Sequence, residues 1–192
     1  MENKLLLVVD MQNDFISGAL GSAQAQAIVE NVCKKIDGWN GRVCFTLDTH
    51  EANYAETLEG KRIPVPHCIN GTWGHKLHED IAASKALFVE RTDPIINGTP
   101  GSCTCMTVYK PTFGYTGFAD DFPKLMNFDS IEIVGLCTDV CVISNAMILR
   151  AAYPDIPITV DASCCAGVTP EGHLNALAAM KVCCIDIVGE EV

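Results

Sequence analysis

The sequence is short of positive charge. Thirteen lysines and arginines face 24 aspartates and glutamates in 192 residues, a formal net charge of −11, and no basic cluster interrupts the acidic surface. That balance argues against nucleic acid or an anionic membrane as a partner. No run is long and apolar enough to span a bilayer, and the opening MENKLLLVVDMQ is too brief, with an acid inside it, to be a secretory signal; a cytoplasmic protein is expected. Internal repeats, low-complexity tracts and a glycine-rich phosphate loop of either common type are all missing, and Gly18 to Gly21 is loose loop material. A nucleotide-binding fold therefore has no motif behind it.

A disulfide framework is also not expected. Eleven cysteines would suggest one in a short secreted chain, but this chain is longer and places most of them within apolar runs, so free thiols are the better reading. Cys33, Cys44, Cys164-Cys165 and Cys183-Cys184 fall in or beside helix and strand patterns, where cysteine packs as a small core hydrophobe. Cys103-Thr104-Cys105 has no neighbours to complete a four-thiolate zinc set.

What the chain does contain is a regular alternation. Lys4 to Val9 reads as a strand, Ala23 to Ile36 as a helix with apolar Ala23, Ala27, Val29, Val32 and Ile36, and Val43 to Leu47 as a second strand. Strands are expected near Ala86 to Val89, Ile131 to Val134, Ile158 to Val160 and Val182 to Val188, with helices at Thr138 to Tyr153 and Pro170 to Met180. Strands apolar on both faces and separated by helices predict a three-layer α-β-α sandwich around a mainly parallel, doubly wound sheet. With 48% hydrophobic residues, the span 1–192 is expected to fold as a single domain. Ligands of such sheets bind at the carboxyl ends of the strands.

Polar and reactive residues break the pattern at those ends. Asp10 closes the first strand, Asp48 and His50 follow the second, Lys110 follows Thr107-Val108-Tyr109, and Cys141 lies in the helix after Ile131 to Val134. Singly, each reads as an ordinary strand-ending polar residue; together they are chemically complementary groups on one rim. Thr138 can cap the helix and Asp139 begins it. Cys141 would then sit among unpaired N–H groups at the positive end of the dipole, where a thiolate is favoured. Cys137, four residues earlier, is the rival nucleophile, but it precedes the cap.

The blocks Leu7-Val8-Val9-Asp10-Met11-Gln12-Asn13-Asp14-Phe15, Asp48-Thr49-His50, Pro66-His67-Cys68-Ile69-Asn70-Gly71-Thr72, Lys110-Pro111-Thr112-Phe113-Gly114 and Gly135-Leu136-Cys137-Thr138-Asp139-Val140-Cys141-Val142 resemble, in order and over nearly the whole chain, the isochorismatase-like cysteine hydrolases. Within that family they look most like the nicotinamidase branch. The resemblance implies a triad of Asp10, Lys110 and Cys141, in which Asp10 takes the thiol proton, Lys110 holds the anionic state in place and Cys141 attacks an amide carbonyl to form a thioester. It further implies a cis peptide bond at Leu136–Cys137, with the backbone N–H groups of Cys137 and Cys141 facing the developing oxyanion.

The same resemblance supports Asp48, His50 and His67 as ligands of a divalent transition metal. Some relatives add a glutamate shortly before the second histidine; Glu59 fits that place, with Glu56 as the alternative. Asp48 and His50, two apart on an extended segment, can share one face. One carboxylate with two imidazoles suits zinc, with iron or manganese as alternatives. The plain alternative is a solvated loop rich in Glu and His. His75, His78 and His173 lie outside the motif and read as surface or helix residues.

For the substrate, Phe15, Phe113 and Tyr115 are the candidate contacts, and Trp73 is either nearby or core. Nicotinamidases often carry an aromatic residue three positions before the second metal histidine; here that position is Pro64. Three readings stand: hydrolysis of nicotinamide to nicotinate and ammonia, hydrolysis of another small amide or carbamoyl compound, and a non-catalytic interaction domain, against which the intact Asp10, Lys110 and Cys141 set argues. The implied partner is a small amide, and the family suggests a homo-oligomer.

Overall fold

The computed structural model describes residues 3–84, 105–120, 122 and 127–190. Its frame starts from Lys4–Val9 (β1), where Leu5, Leu7 and Val9 enter one core and Leu6 and Val8 enter another on the opposite face. A strand buried on both faces belongs inside a sheet that helices cover on each side. Arg42–Asp48 (β2), Cys105–Lys110 (β3), Ser130–Leu136 (β4), Ile158–Ala166 (β5) and Asp186–Val188 (β6) complete a six-stranded sheet in the order β3-β2-β1-β4-β5-β6. Every neighbouring pair is parallel.

One face is packed by residues of Asn13–Ile16 (α1), Ala23–Ala27 (α2), Val29–Gly38 (α3) and, beyond the three-residue 3-10 turn Tyr54–Glu56 and the short Leu58–Arg62 (α4), by Ile81 of Glu79–Ala82 (α5). The other face is packed by Phe118 of Gly117–Asp120 (α6), by Ala146 and Leu149 of Ile143–Ala152 (α7), and by Leu177 and Met180 of Pro170–Val182 (α8). Local chemistry sets where several of these begin. Ser22, Thr57 and Thr169 each accept a backbone N–H three residues ahead, and Pro170 opens α8 where its missing N–H costs nothing. The result is the expected three-layer α-β-α sandwich, doubly wound because the chain reverses direction along the sheet between β1 and β4.

That reversal opens a crevice at the carboxyl ends of β1 and β4. Asp10 leaves β1 in the left-handed region at φ 48°, and Gly135 near the end of β4 has φ 116°. A Cβ on Gly135 would lie 2.1 Å from the Val9 carbonyl oxygen, so only glycine lets β4 approach β1 this closely there. The peptide bond that follows, Leu136–Cys137, is cis.

Several sequence expectations change in detail. The helix over Ala23 to Ile36 is two helices: the N–H of Ile28 turns to the Gln26 carbonyl and the ladder is interrupted. The strand at Val182 to Val188 shrinks to Asp186–Val188, because Val182 still belongs to α8 and Cys183-Cys184 form an exposed turn. Those two thiols are therefore not core residues; Cys44, Cys164 and Cys165 are, and Cys33 is half-buried. The strand expected near Ala86 to Val89, and Cys103 and Thr104, lie outside the described residues. Among the described residues no helix is long and apolar enough to cross a membrane.

Candidate active site at the switch point

The parallel register carries the reactive residues to one rim. Asp10 follows β1, Asp48 ends β2, and Lys110 ends β3 directly across from Asp48 in the ladder. Cys141 arrives from the crevice's other side, on a single π-helical turn, Thr138–Val142, between the cis peptide and α7. Lys110 Nζ lies 2.6 Å from Asp10 Oδ2, 3.6 Å from Cys141 Sγ and 3.4 Å from Asp48 Oδ1. All four side chains are buried.

Burial dominates the electrostatics. It pushes the Asp10 carboxyl up, and Lys110 and Thr46 offset this only in part. It works against the Lys110 ammonium as well, but the negative charge of Asp10, Cys141 and Asp48 outweighs it and holds Lys110 protonated above the ordinary lysine range. The Cys141 thiol is driven well above its usual value by burial and by Asp10, with Lys110 pulling the other way. Burial beside Asp10 thus favours the protonated thiol and works against the thiolate preference of a helix start, because one helix end does not compensate full desolvation. Nor does Thr138 cap the turn. Cys137 holds the cap position without a side-chain bond, and the Thr138 hydroxyl pairs with His173 Nδ1 at 2.8 Å. Cys137 is half-buried, its thiol pushed up to about 12 by burial and by Asp139 and Asp10.

Beside the triad, Asp48, His50, Glu59 and His67 converge, with one ligand atom from each inside a 4.8 Å group. His50 Nε2 is 2.9 Å from Asp48 Oδ2 and 3.4 Å from Glu59 Oε1; His67 Nε2 is 3.4 Å and 3.6 Å from the same two oxygens. Ligands about 2.1 Å from a tetrahedral metal stand about 3.4 Å from one another, and these separations bracket that value. His50 Nε2 and Glu59 Oε1 are buried without a hydrogen bond, the former despite its nearness to Asp48. His67 Nδ1 donates to the Val65 carbonyl at 2.8 Å, which leaves Nε2 as the free lone pair facing the group. The donor set fits a divalent transition metal. Without an ion, burial opposes the His50 imidazolium but Asp48 and Glu59 raise it to about 9, and Asp48 is held well below the carboxylate range by the two histidines and Lys110 against its burial. Glu56, the alternative, is exposed.

The remaining candidates separate. Phe15 packs edge-on against His67 with centroids 5.5 Å apart. Phe113 is 38% exposed. Tyr115 is half-buried and packs edge-on against Phe118 and Phe122 of the core cluster, at 5.1 and 6.4 Å. Trp73, 58% exposed, is not a core residue. Pro64 is exposed. His75 is buried rather than a surface group and its Nε2 meets the Thr49 hydroxyl at 2.9 Å; His78 caps α5 through its ring nitrogen.

Sequence reasoning passed over four residues that build the site. Tyr54 lies against both His50 and His67, at 4.6 and 5.1 Å, while its hydroxyl donates to the Ile63 carbonyl just past α4. Gln12 locks both backbone groups of Asp48: its amide donates to the carbonyl at 2.9 Å and accepts the N–H at 2.8 Å. Asn145 donates to the Cys141 and Phe113 carbonyls and accepts the Tyr115 N–H, joining the nucleophile's turn to the loop after Lys110. Thr46 bonds to Asp10. Only Gln12, inside the first motif block, had a signal that could have found it.

A buried thiol set against a carboxylate and an ammonium, at the switch point of a parallel sheet, is the arrangement of an α/β cysteine hydrolase. The chain belongs to the isochorismatase family, whose Isochorismatase domain profile matches residues 4–191. It is similar to the nicotinamidase/pyrazinamidase of Mycobacterium tuberculosis (strain ATCC 25618 / H37Rv), 27% identical over 201 residues that span 96% of this chain and 98% of that protein. Its fold matches the crystal structure of a nicotinamidase/pyrazinamidase from Bacillus subtilis with a TM-score of 0.78 at 23% identity, over 97% of this chain and 99% of that one. It also matches a pyrazinamidase of Pyrococcus horikoshii in complex with zinc, TM-score 0.71 at 22% identity, over 98% and 99% of the two chains.

Proposed function

We propose that this chain is a cysteine-dependent amidohydrolase that converts nicotinamide to nicotinate and ammonia. The observation that carries the reading is that Lys110 reaches both Cys141 Sγ, at 3.6 Å, and Asp48 Oδ1, at 3.4 Å. A small ring held at the Asp48 group would present its carboxamide to the thiol, turning attack into an effectively intramolecular step. The nicotinamidase relatives, matched over nearly their whole length, support the same substrate class.

In this reading Cys141 Sγ attacks the amide carbonyl while its proton passes to Asp10, and Lys110 stays charged to balance the displaced negative charge. The backbone N–H groups of Cys137, beyond the turned Leu136–Cys137 bond, and of Cys141 receive the oxyanion. Asp10 returns the proton to the leaving nitrogen, ammonia departs and a thioester remains. Water, deprotonated by Asp10, then cleaves the thioester and restores the thiol. A bound divalent transition metal, zinc first with iron or manganese as alternatives, would supply a Lewis-acidic position for the ring nitrogen, held by Asp48, His50, Glu59 and His67. Phe15 and Phe113 flank the ring, while Tyr115 supports the loop that carries Phe113. We further propose one catalytic domain over 1–192, a homo-oligomer acting in the cytoplasm, without nucleic acid or membrane as partner.

The test is ammonia release from nicotinamide against benzamide, which has the same shape and no ring nitrogen. Nicotinamide should be faster by orders of magnitude, since the missing lone pair removes the orienting contact. Equal rates would refute the substrate. The exposed Pro64, where the resemblance to nicotinamidases leads one to expect an aromatic residue, favours a second reading in which another small amide or carbamoyl compound is hydrolysed. Good activity on an acyclic ureide beside none on nicotinamide would establish it.

A further inference from the structure

Among the interior residues of β2, Thr46 stands out, because Val43, Cys44, Phe45 and Leu47 around it are buried and apolar. A valine has nearly the same shape and avoids the cost of burying a hydroxyl. The Thr46 side chain makes two hydrogen bonds, and both go to Asp10. Oγ1 donates to Asp10 Oδ1 at 2.6 Å and accepts the Asp10 N–H at 3.2 Å. The second bond fastens a residue whose φ of 48° lies in the left-handed region that side chains seldom adopt.

We propose that Thr46 is a positioning residue of the reaction: its hydroxyl occupies Oδ1 of Asp10 and so directs the Cys141 proton to Oδ2. A hydroxyl that donates to Oδ1 engages that oxygen as an acceptor and is a stronger bond while Oδ1 is unprotonated, which favours Oδ2 as the oxygen that takes the proton. Oδ2 is buried and lies 2.6 Å from Lys110 Nζ, which pairs with it while carrying the positive charge. The S–H bond of Cys141 breaks and the O–H bond forms on Oδ2. The electron pair left on sulfur attacks, with Lys110 beside both products of the transfer. Without the Thr46 hydroxyl, the carboxylate is free to turn and offer either oxygen to Lys110.

The inference rests on Asp10 as base and Cys141 as nucleophile, and the experiment separates the two ideas. Iodoacetamide labelling of Cys141, followed by peptide mass spectrometry, reads thiol activation without any substrate, and nicotinamide turnover is measured beside it. Thr46→Val should alkylate Cys141 about tenfold more slowly and lose kcat to a similar extent, with KM within about twofold. Thr46→Ser, which keeps the hydroxyl, should stay within about threefold of the wild type on both. If thermal unfolding shows that Thr46→Val does not fold, Thr46→Ala makes the same comparison. Wild-type or faster alkylation in the hydroxyl-free variant, or a serine variant as slow as the valine one, would overturn the proposal. Asp10→Asn is the control: slow labelling in it beside fast labelling in Thr46→Val sinks Thr46 alone, whereas fast labelling in Asp10→Asn sinks the base assignment.

Discussion

Lys110 Nζ stands 3.4 Å from Asp48 Oδ1, a contact made possible because the two residues face each other at the ends of β3 and β2. The same ammonium pairs with Asp10 at 2.6 Å. A buried lysine without partners would cost several kcal/mol; here two carboxylates and a thiol surround it. The thiol half and the carboxylate–imidazole half of the crevice therefore share one charge, and a change in either is felt by the other.

Replacing Cys141 with alanine or serine should abolish amide turnover, leaving the fold and metal content nearly intact, because its sulfur is linked to Asp48 of the candidate ligand group through Lys110 and is not itself one of that group. Mass spectrometry of enzyme quenched during turnover should find the acyl group on Cys141. A thioester on Cys137, or wild-type rates in the variant, would move the nucleophile.

A divalent transition metal should co-purify with the protein or restore its activity after chelation. The double variant His50→Ala/His67→Ala should lose it, since both ring nitrogens lie within 3.6 Å of the Asp48 and Glu59 oxygens. Elemental analysis of the two proteins decides. Stoichiometric metal in the double variant would place the ligands elsewhere.

Gly135→Ala should destabilise the protein by roughly 3 kcal/mol, combining a positive φ with a backbone clash. The clash is with Val9, next to Asp10, where an added Cβ would meet the carbonyl oxygen at 2.1 Å. Chemical denaturation measures it, and unchanged stability would mean that β1 and β4 part without cost.

Away from the crevice, Lys35 bridges Glu132 at 2.6 Å and Asp161 at 2.7 Å. Burial raises the Asp161 carboxyl, but bonds from Lys35 and Ser163 outweigh it and leave it below its ordinary value. A carboxyl lowered in the folded state stabilises the fold above its unfolded pKa, and that contribution is lost as pH falls through the folded value. Asp161→Asn should therefore cost about 1–2 kcal/mol at neutral pH, with the difference from the wild type closing in acid. A gap that persists unchanged at pH 2 would assign the effect to packing.

The layers of this fold were legible because β1 is apolar at every interior position and buried on both faces, a pattern that a covered parallel sheet requires. The rim was legible for a related reason: Asp10, Asp48 and Lys110 interrupt apolar runs at strand ends, and parallel strands bring those ends together. Element boundaries were less so. Val182 suits strand or helix equally, and the hydrogen bonds of α8 decide in favour of the helix.

The sequence by itself determined which residue types meet at the switch point, since alternation and motif order are local properties of the chain. Tertiary structure alone decided what surrounds them. Glu59 joins the histidines while Glu56, three residues away, faces solvent. Tyr54 lies against both imidazoles and Thr46 grips Asp10. Burial beside Asp10 pushes the Cys141 thiol above its usual value. Each of these depends on desolvation and on contacts between segments far apart in sequence, and desolvation is a property of the packed volume that no spacing along the chain encodes.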